Sequence, residues 1–302
     1  MHILDWMHIN IRLRMYRIIS EHIYQKRRNS IKANFEKRLA TESVSFGLHT
    51  PPREQKIIVS LTSFPPRYKT ILHCLQSLLM QTTKPDKIIV WLYEKDFPIT
   101  DEMKSLCQYG VEYKSVTEDV RPHNKYLYAM RYFPNDLIIT VDDDIIYPNN
   151  LIENLVRTHE VYPDCVVANR IHKIPRKHDG SFFSYNQWLQ NYAGTRQPRH
   201  DLIATGVGGV LYPPGCLDER CFNTELIKAH CIGADDIWLK TMELLRGTKV
   251  VWANNKCPLP YIIQDSQEVA LGTMNVEQSK NDDYIQAMRN LFEDELAGTV
   301  FG

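Results

Sequence analysis

The chain has 302 residues, with 36 Lys and Arg against 36 Asp and Glu, 43% hydrophobic and 24% charged residues. These proportions exclude a disordered, collagen-like or supercharged chain, and zero net charge excludes a general nucleic-acid binder, which needs a basic surface. No run of 18 apolar residues occurs, so no ordinary membrane-spanning helix is expected.

Charge is not evenly spread. Residues 1–40 hold nine Lys and Arg and three Asp and Glu, while the remainder holds 27 against 33. Ile3, Trp6, Met7, Ile11, Met15, Ile18 and Ile19 recur near helical spacing, with Arg12, Arg14, Arg17, Lys26, Arg27 and Arg28 supplying charge. Either an in-plane helix on an anionic membrane or a helix packed on the domain or a partner fits this pattern. The arginines interrupt any secretory h-region. Gly47 and Pro51-Pro52 mark a linker, so residues 1–50 read as a basic helical extension and 51–302 as the main domain.

Ile57–Leu61 has the length and β-branching of a buried strand, followed by a loop through Arg67. A helix is expected over 68–81, a strand over 87–92, a helix over 100–109, a short strand at 111–113 and a helix over 124–133. Leu137–Val141 is another apolar strand, and it runs into Asp142-Asp143-Asp144. Beyond it, helices are expected at 149–161, 235–245 and 281–295, strands at 166–168, 206–212 and 250–252, and a long loop at 175–200. Alternating helices and near-continuous apolar strands imply an α/β fold, a mostly parallel sheet covered on both faces. Ligands then sit at the carboxyl ends of the strands, where the loops 62–67, 93–96 and 142–144 should converge.

Three successive carboxylates at the end of a buried strand repel one another and call for a cation. Mg²⁺ or Mn²⁺ held by one or two carboxylates and phosphate oxygens fits that chemistry. Asp142 and Asp144 share one face if the triplet is extended. Asp235-Asp236 opens a helix; one carboxylate suffices as a cap, leaving the other open to act as a general base. Lys125 reads as a phosphate-binding point charge or as a surface lysine at a helix start. Seven cysteines without a CxxC suggest free thiols in a reducing compartment, and Cys216, Cys221, His230 and Cys231 match no usual zinc spacing. Tyr185, Trp188 and Tyr192 either stack on acceptor sugars or pack under their loop.

Five stretches carry a family resemblance: Val59–Arg67, Asp119–Lys125, Leu137–Pro148, Gly206–Pro214 and Gly233–Leu239. At these residues the chain resembles GT-A-fold glycosyltransferases of the glycosyltransferase family 2 type, and more narrowly bacterial capsule and surface-polysaccharide transferases. The resemblance implies a GT-A (Rossmann-like) fold with a nucleotide-binding half, 51–148, and an acceptor-binding half, 149–302. It implies a metal-dependent hexosyltransferase using a UDP-sugar and a glycan or lipid-linked acceptor, in the cytoplasm or peripherally on the inner face of the cell membrane. Thr62, Ser63 and Arg67 would line the nucleotide site, with Asp119 near base or ribose and Lys125 near the diphosphate. Asp142, Asp143 and Asp144 match the D-x-D region, Asp144 ligating metal directly and Asp142 through ribose or water. Asp236 would be the base of an inverting reaction and Asp235 would orient the acceptor. Gly208 and Gly209 would let backbone approach the donor sugar. The late metal-binding His of many relatives is missing, with Asn281 or Asp282 as substitutes. A retaining transferase on the same fold and a non-catalytic partner in polysaccharide assembly are the alternatives.

Overall fold

In the computed structural model the described residues are 26, 28–41, 45–176, 183–253, 261–263 and 280–302. The amphipathic positions 3–19, and with them the membrane-facing reading, lie outside these residues. So does Cys257.

β1 (Ile57–Thr62) is buried along nearly its whole length and lies inside a seven-stranded sheet. β2 (Lys87–Tyr93) and β4 (Leu137–Thr140) flank it in parallel, and β3 (Val111–Val116) pairs with β2. Beyond β4 come β9 (Val210–Tyr212), β6 (Val166–Ala168) and β10 (Val250–Trp252). Only β9 runs against its neighbours, so six of the seven strands share one direction.

Period-2 alternation divides β1 between two layers. Ile57, Val59 and Leu61 pack with Ile71, Leu75, Leu78 and Leu79 of α2 (Ile71–Leu79). Ile58 faces the other side, with Ile89, Trp91 and Ala129 of α4 (Asn124–Tyr132). The helices thus cover both faces, which is why these strands read as continuous apolar runs. The short α3 (Asp101–Ser105) precedes β3, and α5 (Leu151–Val161) follows the acidic triplet.

The chain moves from β1 outward to β2 and β3, then returns to place β4 on the other side of β1. That reversal is a topological switch point, where open α/β sheets form a crevice at their carboxyl ends. β1 delivers Thr62 and Ser63 there; β4 delivers the acidic triplet. α7 (Asp235–Arg246) starts at the same place and ends at Gly247, whose φ of 80° is a left-handed helix cap that glycine adopts without Cβ strain.

Several elements differ from the sequence expectation. Residues 206–208 form a 3₁₀ turn, and the strand is confined to 210–212. Within 175–200 the described part includes a 3₁₀ turn, Tyr185–Gln187, and just outside it β7 (Ile171–Lys173) pairs with β8 (Leu202–Ala204). β5 (Ile145–Ile146) pairs with β11 (Tyr261–Ile262). α6 (Thr224–His230) was not expected; Asn223 caps it by accepting from Leu226 N at 3.0 Å. The C-terminal helix is two pieces, α8 (Lys280–Leu291) and α9 (Glu293–Leu296).

The described part of the basic extension, a helix α1 over 28–39, packs on the domain. Phe35 joins Met80, Ile146 and Ile263 in a small apolar cluster, and Arg38 Nη2 donates to Met80 O at 2.9 Å.

Candidate active site

A cleft of about 1010 Å³ opens at the switch point. Thr62–Arg67, Tyr93, Asp96 and Asp142–Asp144 all line it, so the three polar loops do converge. Seven carboxylates line the cleft, those of Asp96, Asp119, Asp142, Asp143, Asp144, Asp235 and Asp236, against three cations, Arg67, Arg121 and Lys125.

Asp143 and Asp144 lie in a turn, so the triplet is not extended chain. Asp143 and Asp144 are gathered instead by one guanidinium: Arg67 Nη1 lies 2.8 Å from Asp143 Oδ1 and 2.7 Å from Asp144 Oδ2. Ser63 Oγ donates to Asp143 Oδ2 at 2.6 Å. Burial pushes the Asp143 carboxyl up to about 6, against the pull of Arg67, whereas the carboxylates outweigh burial at Arg67 and hold its proton more tightly. Thr62 lines the cleft, but its hydroxyl donates to Trp91 O at 2.8 Å, across the ends of β1 and β2.

Asp142 is held from behind and in front. Its backbone N donates to Tyr147 Oη at 2.9 Å, and Cys74 Sγ donates to its carbonyl at 3.2 Å. Its Oδ1 lies 2.7 Å from Lys125 Nζ, which also lies 2.8 Å from Asp235 Oδ2. Lys125 therefore joins the triplet to the acidic pair. Its side chain is only 6% exposed. Burial works against its charge, but Asp142, Asp235 and Asp236 outweigh that and raise its pKa well above the usual lysine value. The Ser60 hydroxyl donates to Lys125 O while accepting from Trp91 Nε1 at 2.8 Å, which fixes the start of α4 against β1.

The acidic pair is differentiated by its surroundings. Burial raises the Asp235 carboxyl, but Lys125 more than offsets it and the net shift is downward. Asp236 is raised by burial first and then by the charge of Asp235. Asp236 Oδ1 accepts from Gly206 N at 3.1 Å. Two neighbouring carboxylates with opposite shifts is the pattern expected when one stays ionised and the other exchanges a proton.

Gly206, not Gly208 or Gly209, faces this centre. A Cβ at Gly206 would meet Lys125 Nζ at 2.8 Å and Asp142 Oδ1 at 3.0 Å. A Cβ at Gly208 would strike Arg170, and Gly209, with φ of 78°, faces Leu151. These two glycines permit chain packing, which corrects the expectation that they approach a donor. The signal for Gly206 was present in the same glycine-rich stretch but could not be assigned without the fold.

Asp119 lines the cleft and shapes its rim: Oδ1 accepts from Arg121 N at 2.7 Å and Asn124 Nδ2 at 3.3 Å. Asn281 is buried and lines the cleft, whereas Asp282 accepts from Tyr185 N at 2.7 Å and braces that loop. Of the three aromatics only Tyr185 lines the cleft. Trp188 is 4% exposed in the core beside Phe301, which removes it as a stacking surface; Tyr192 packs partly buried against the same core. Cys216, Cys221 and Cys231 are buried there too.

The residues present fit a divalent cation in charge and in donor type. The cleft has four more carboxylates than cations, and carboxylate oxygens suit Mg²⁺ or Mn²⁺. Among the described residues no three His, Cys, Asp or Glu side chains form a ready-made cage, so phosphate oxygens would complete the shell.

The mostly parallel sheet flanked by helices is a GT-A-like fold. Residues 58–207, about half of the chain, match the family model described as Glycosyl transferase family 2. The chain carries that domain and is a glycosyltransferase. Among solved structures, a mannosyltransferase of Pyrobaculum calidifontis in complex with GDP-Man and Mn²⁺ is similar at 14% identity and a TM-score of 0.45, over 92% of this chain and 75% of that one. GalNAc-T7 with UDP, GalNAc and Mn²⁺ shares 11% identity at a TM-score of 0.45, over 91% of this chain and 60% of its own. S. aureus TarS 1-349 shares 13% identity at a TM-score of 0.42, over 81% and 74%. All three are distant likenesses. A search of curated proteins gives no match.

Proposed function

We propose that the chain moves a hexose from a UDP-linked donor to a hydroxyl of a glycan or lipid-linked acceptor, with inversion, in the assembly of a surface polysaccharide. The observation that carries this reading is the Lys125 bridge, which sets the acidic triplet and the acidic pair on one wall of the cleft at 2.7 and 2.8 Å from a single ammonium. Thr62, Ser63, Arg67 and Asp119 form the nucleoside end. Asp144 and Asp142 would hold Mn²⁺ or Mg²⁺, which when bound offsets charge on the leaving diphosphate.

Asp236 is the base. Its proton affinity is raised, which favours accepting the acceptor's hydroxyl proton, and the Gly206 amide fixes one oxygen so that the other is presented to the cleft. Asp235, kept ionised by Lys125, orients the acceptor. Tyr185 and Asn281 close the acceptor side. The amphipathic part of the basic segment 1–40, ahead of the helix that packs on the domain, supplies contact with an anionic membrane face.

Asp236→Asn tests this. Transfer should fall about 10²- to 10⁴-fold, the usual worth of a general base, while UDP binding is retained. Near-normal turnover would reject the assignment. NMR of the product's anomeric carbon gives a second arm: retained configuration would exclude in-line displacement.

A further inference from the structure

Two of the three cations lining the cleft are already neutralised within the protein. Arg67 pairs with Asp143 and Asp144 at 2.8 and 2.7 Å, and Lys125 with Asp142 and Asp235 at 2.7 and 2.8 Å. Arg121 differs. It is exposed, it lines the cleft, and its guanidinium forms no ion pair with a carboxylate among the described residues.

Its backbone is also unusual. Arg121 has a φ of 56°, a left-handed conformation that glycine takes readily and a residue with a Cβ seldom adopts. The turn is clamped rather than loose. Asp119 Oδ1 accepts from Arg121 N at 2.7 Å, Val120 N donates to Asn124 Oδ1 at 3.2 Å, and Pro122 follows. A glycine would satisfy the backbone better, so the guanidinium is what this position supplies.

We infer that Arg121 contacts the diphosphate of the donor, a role the sequence resemblance would give to Lys125. An arginine fork suits phosphate oxygens, and a cleft this acidic needs a free cation to accept a dianionic leaving group. Lys125 remains the strut between the two acidic clusters. The inference rests on the nucleotide-sugar reading of the same cleft.

The test is calorimetric titration of UDP and of uridine, both with Mn²⁺, into the full-length wild type, Arg121→Gly and Arg121→Lys. Gly suits the φ, so the Arg121→Gly protein should melt at the same temperature or higher. Its UDP affinity should fall about ten- to a hundredfold, the usual span for a lost charged hydrogen bond, with uridine unaffected and Lys intermediate. Arg121→Gly binding UDP like the wild type would overturn the inference alone. Equal weakening of UDP and uridine would also overturn it, by placing Arg121 at the nucleoside. A wild type that binds neither ligand would remove the donor reading and the inference with it.

Discussion

Lys125 and His123 lie two residues apart and are buried for opposite reasons. Lys125 is charged and compensated on both sides. Replacing it by Met leaves Asp142 and Asp235 without their counter-ion, and breaking such a buried pair typically costs about 3–5 kcal/mol. Urea denaturation of Lys125→Met at neutral pH should show a loss of that order; a loss near zero would mean the carboxylates find other partners. His123 is fully buried and neutral. Its Nε2 donates to Cys231 O at 2.9 Å and its Nδ1 accepts from Tyr126 Oη at 3.0 Å, the tautomer this pairing requires. Burial lowers its pKa from 6.5 to about 4. The unfolded chain therefore binds the proton more readily between those values, and stability is complete above pH 6.5 and falls towards pH 4. The loss is about 3 kcal/mol at 1.36 kcal/mol per unit. A His123→Gln protein should have a flatter stability profile across that window, and an unchanged slope would assign the titration elsewhere. At this scale the acidic triplet and the acidic pair singled out from the sequence line one cleft. The sequence could not name their partners: Arg67 and Asp143 stand 76 residues apart and meet only through the switch point.

The long elements were legible because each has one strong signal. β1, β2 and β4 are apolar, β-branched runs buried on both faces, and α2 and α5 show clear helical stripes. Among the short ones β6 and β10 were legible and four others were not. β5 and β11 have two residues each and β7 and β8 three, without the paired valines that mark β6 and β10, and each pairs with another of the four outside the main sheet. β9 reads like its parallel neighbours, since burial, not direction, sets its composition. The N-terminal extension divides into two parts with separable consequences. Phe35 is 6% exposed against Met80, Ile146 and Ile263, so Phe35→Ala should cost about 2 kcal/mol, less than a deep-core Phe truncation. The amphipathic stretch before residue 26, with Arg12, Arg14 and Arg17, carries the membrane proposal. Deleting residues 1–25 should abolish co-sedimentation with anionic vesicles at unchanged melting temperature, whereas deleting 1–40 should lower both. Sedimentation that survives both deletions would rule out the extension as the membrane contact.

Across the whole molecule, a zero net charge conceals a basic end and a cleft in which carboxylates outnumber cations by seven to three. Among the described residues no helix is long and apolar enough to cross a membrane. The family-matched half, 58–207, contains β1 to β4 and the acidic triplet, yet Asp235 and Asp236 come from outside it. Sheet order makes one site of the two, because α7 begins where β1 and β4 end. The most direct test of that account is a thermal-shift titration of nucleoside diphosphates and nucleotide sugars, each with Mn²⁺ and with EDTA. Ligand at about 100 times its Kd adds about 2.7 kcal/mol of stability, well within reach of the method. A rise with UDP and Mn²⁺ that disappears with EDTA and in Asp144→Ala is expected. No rise with any nucleotide would contradict it.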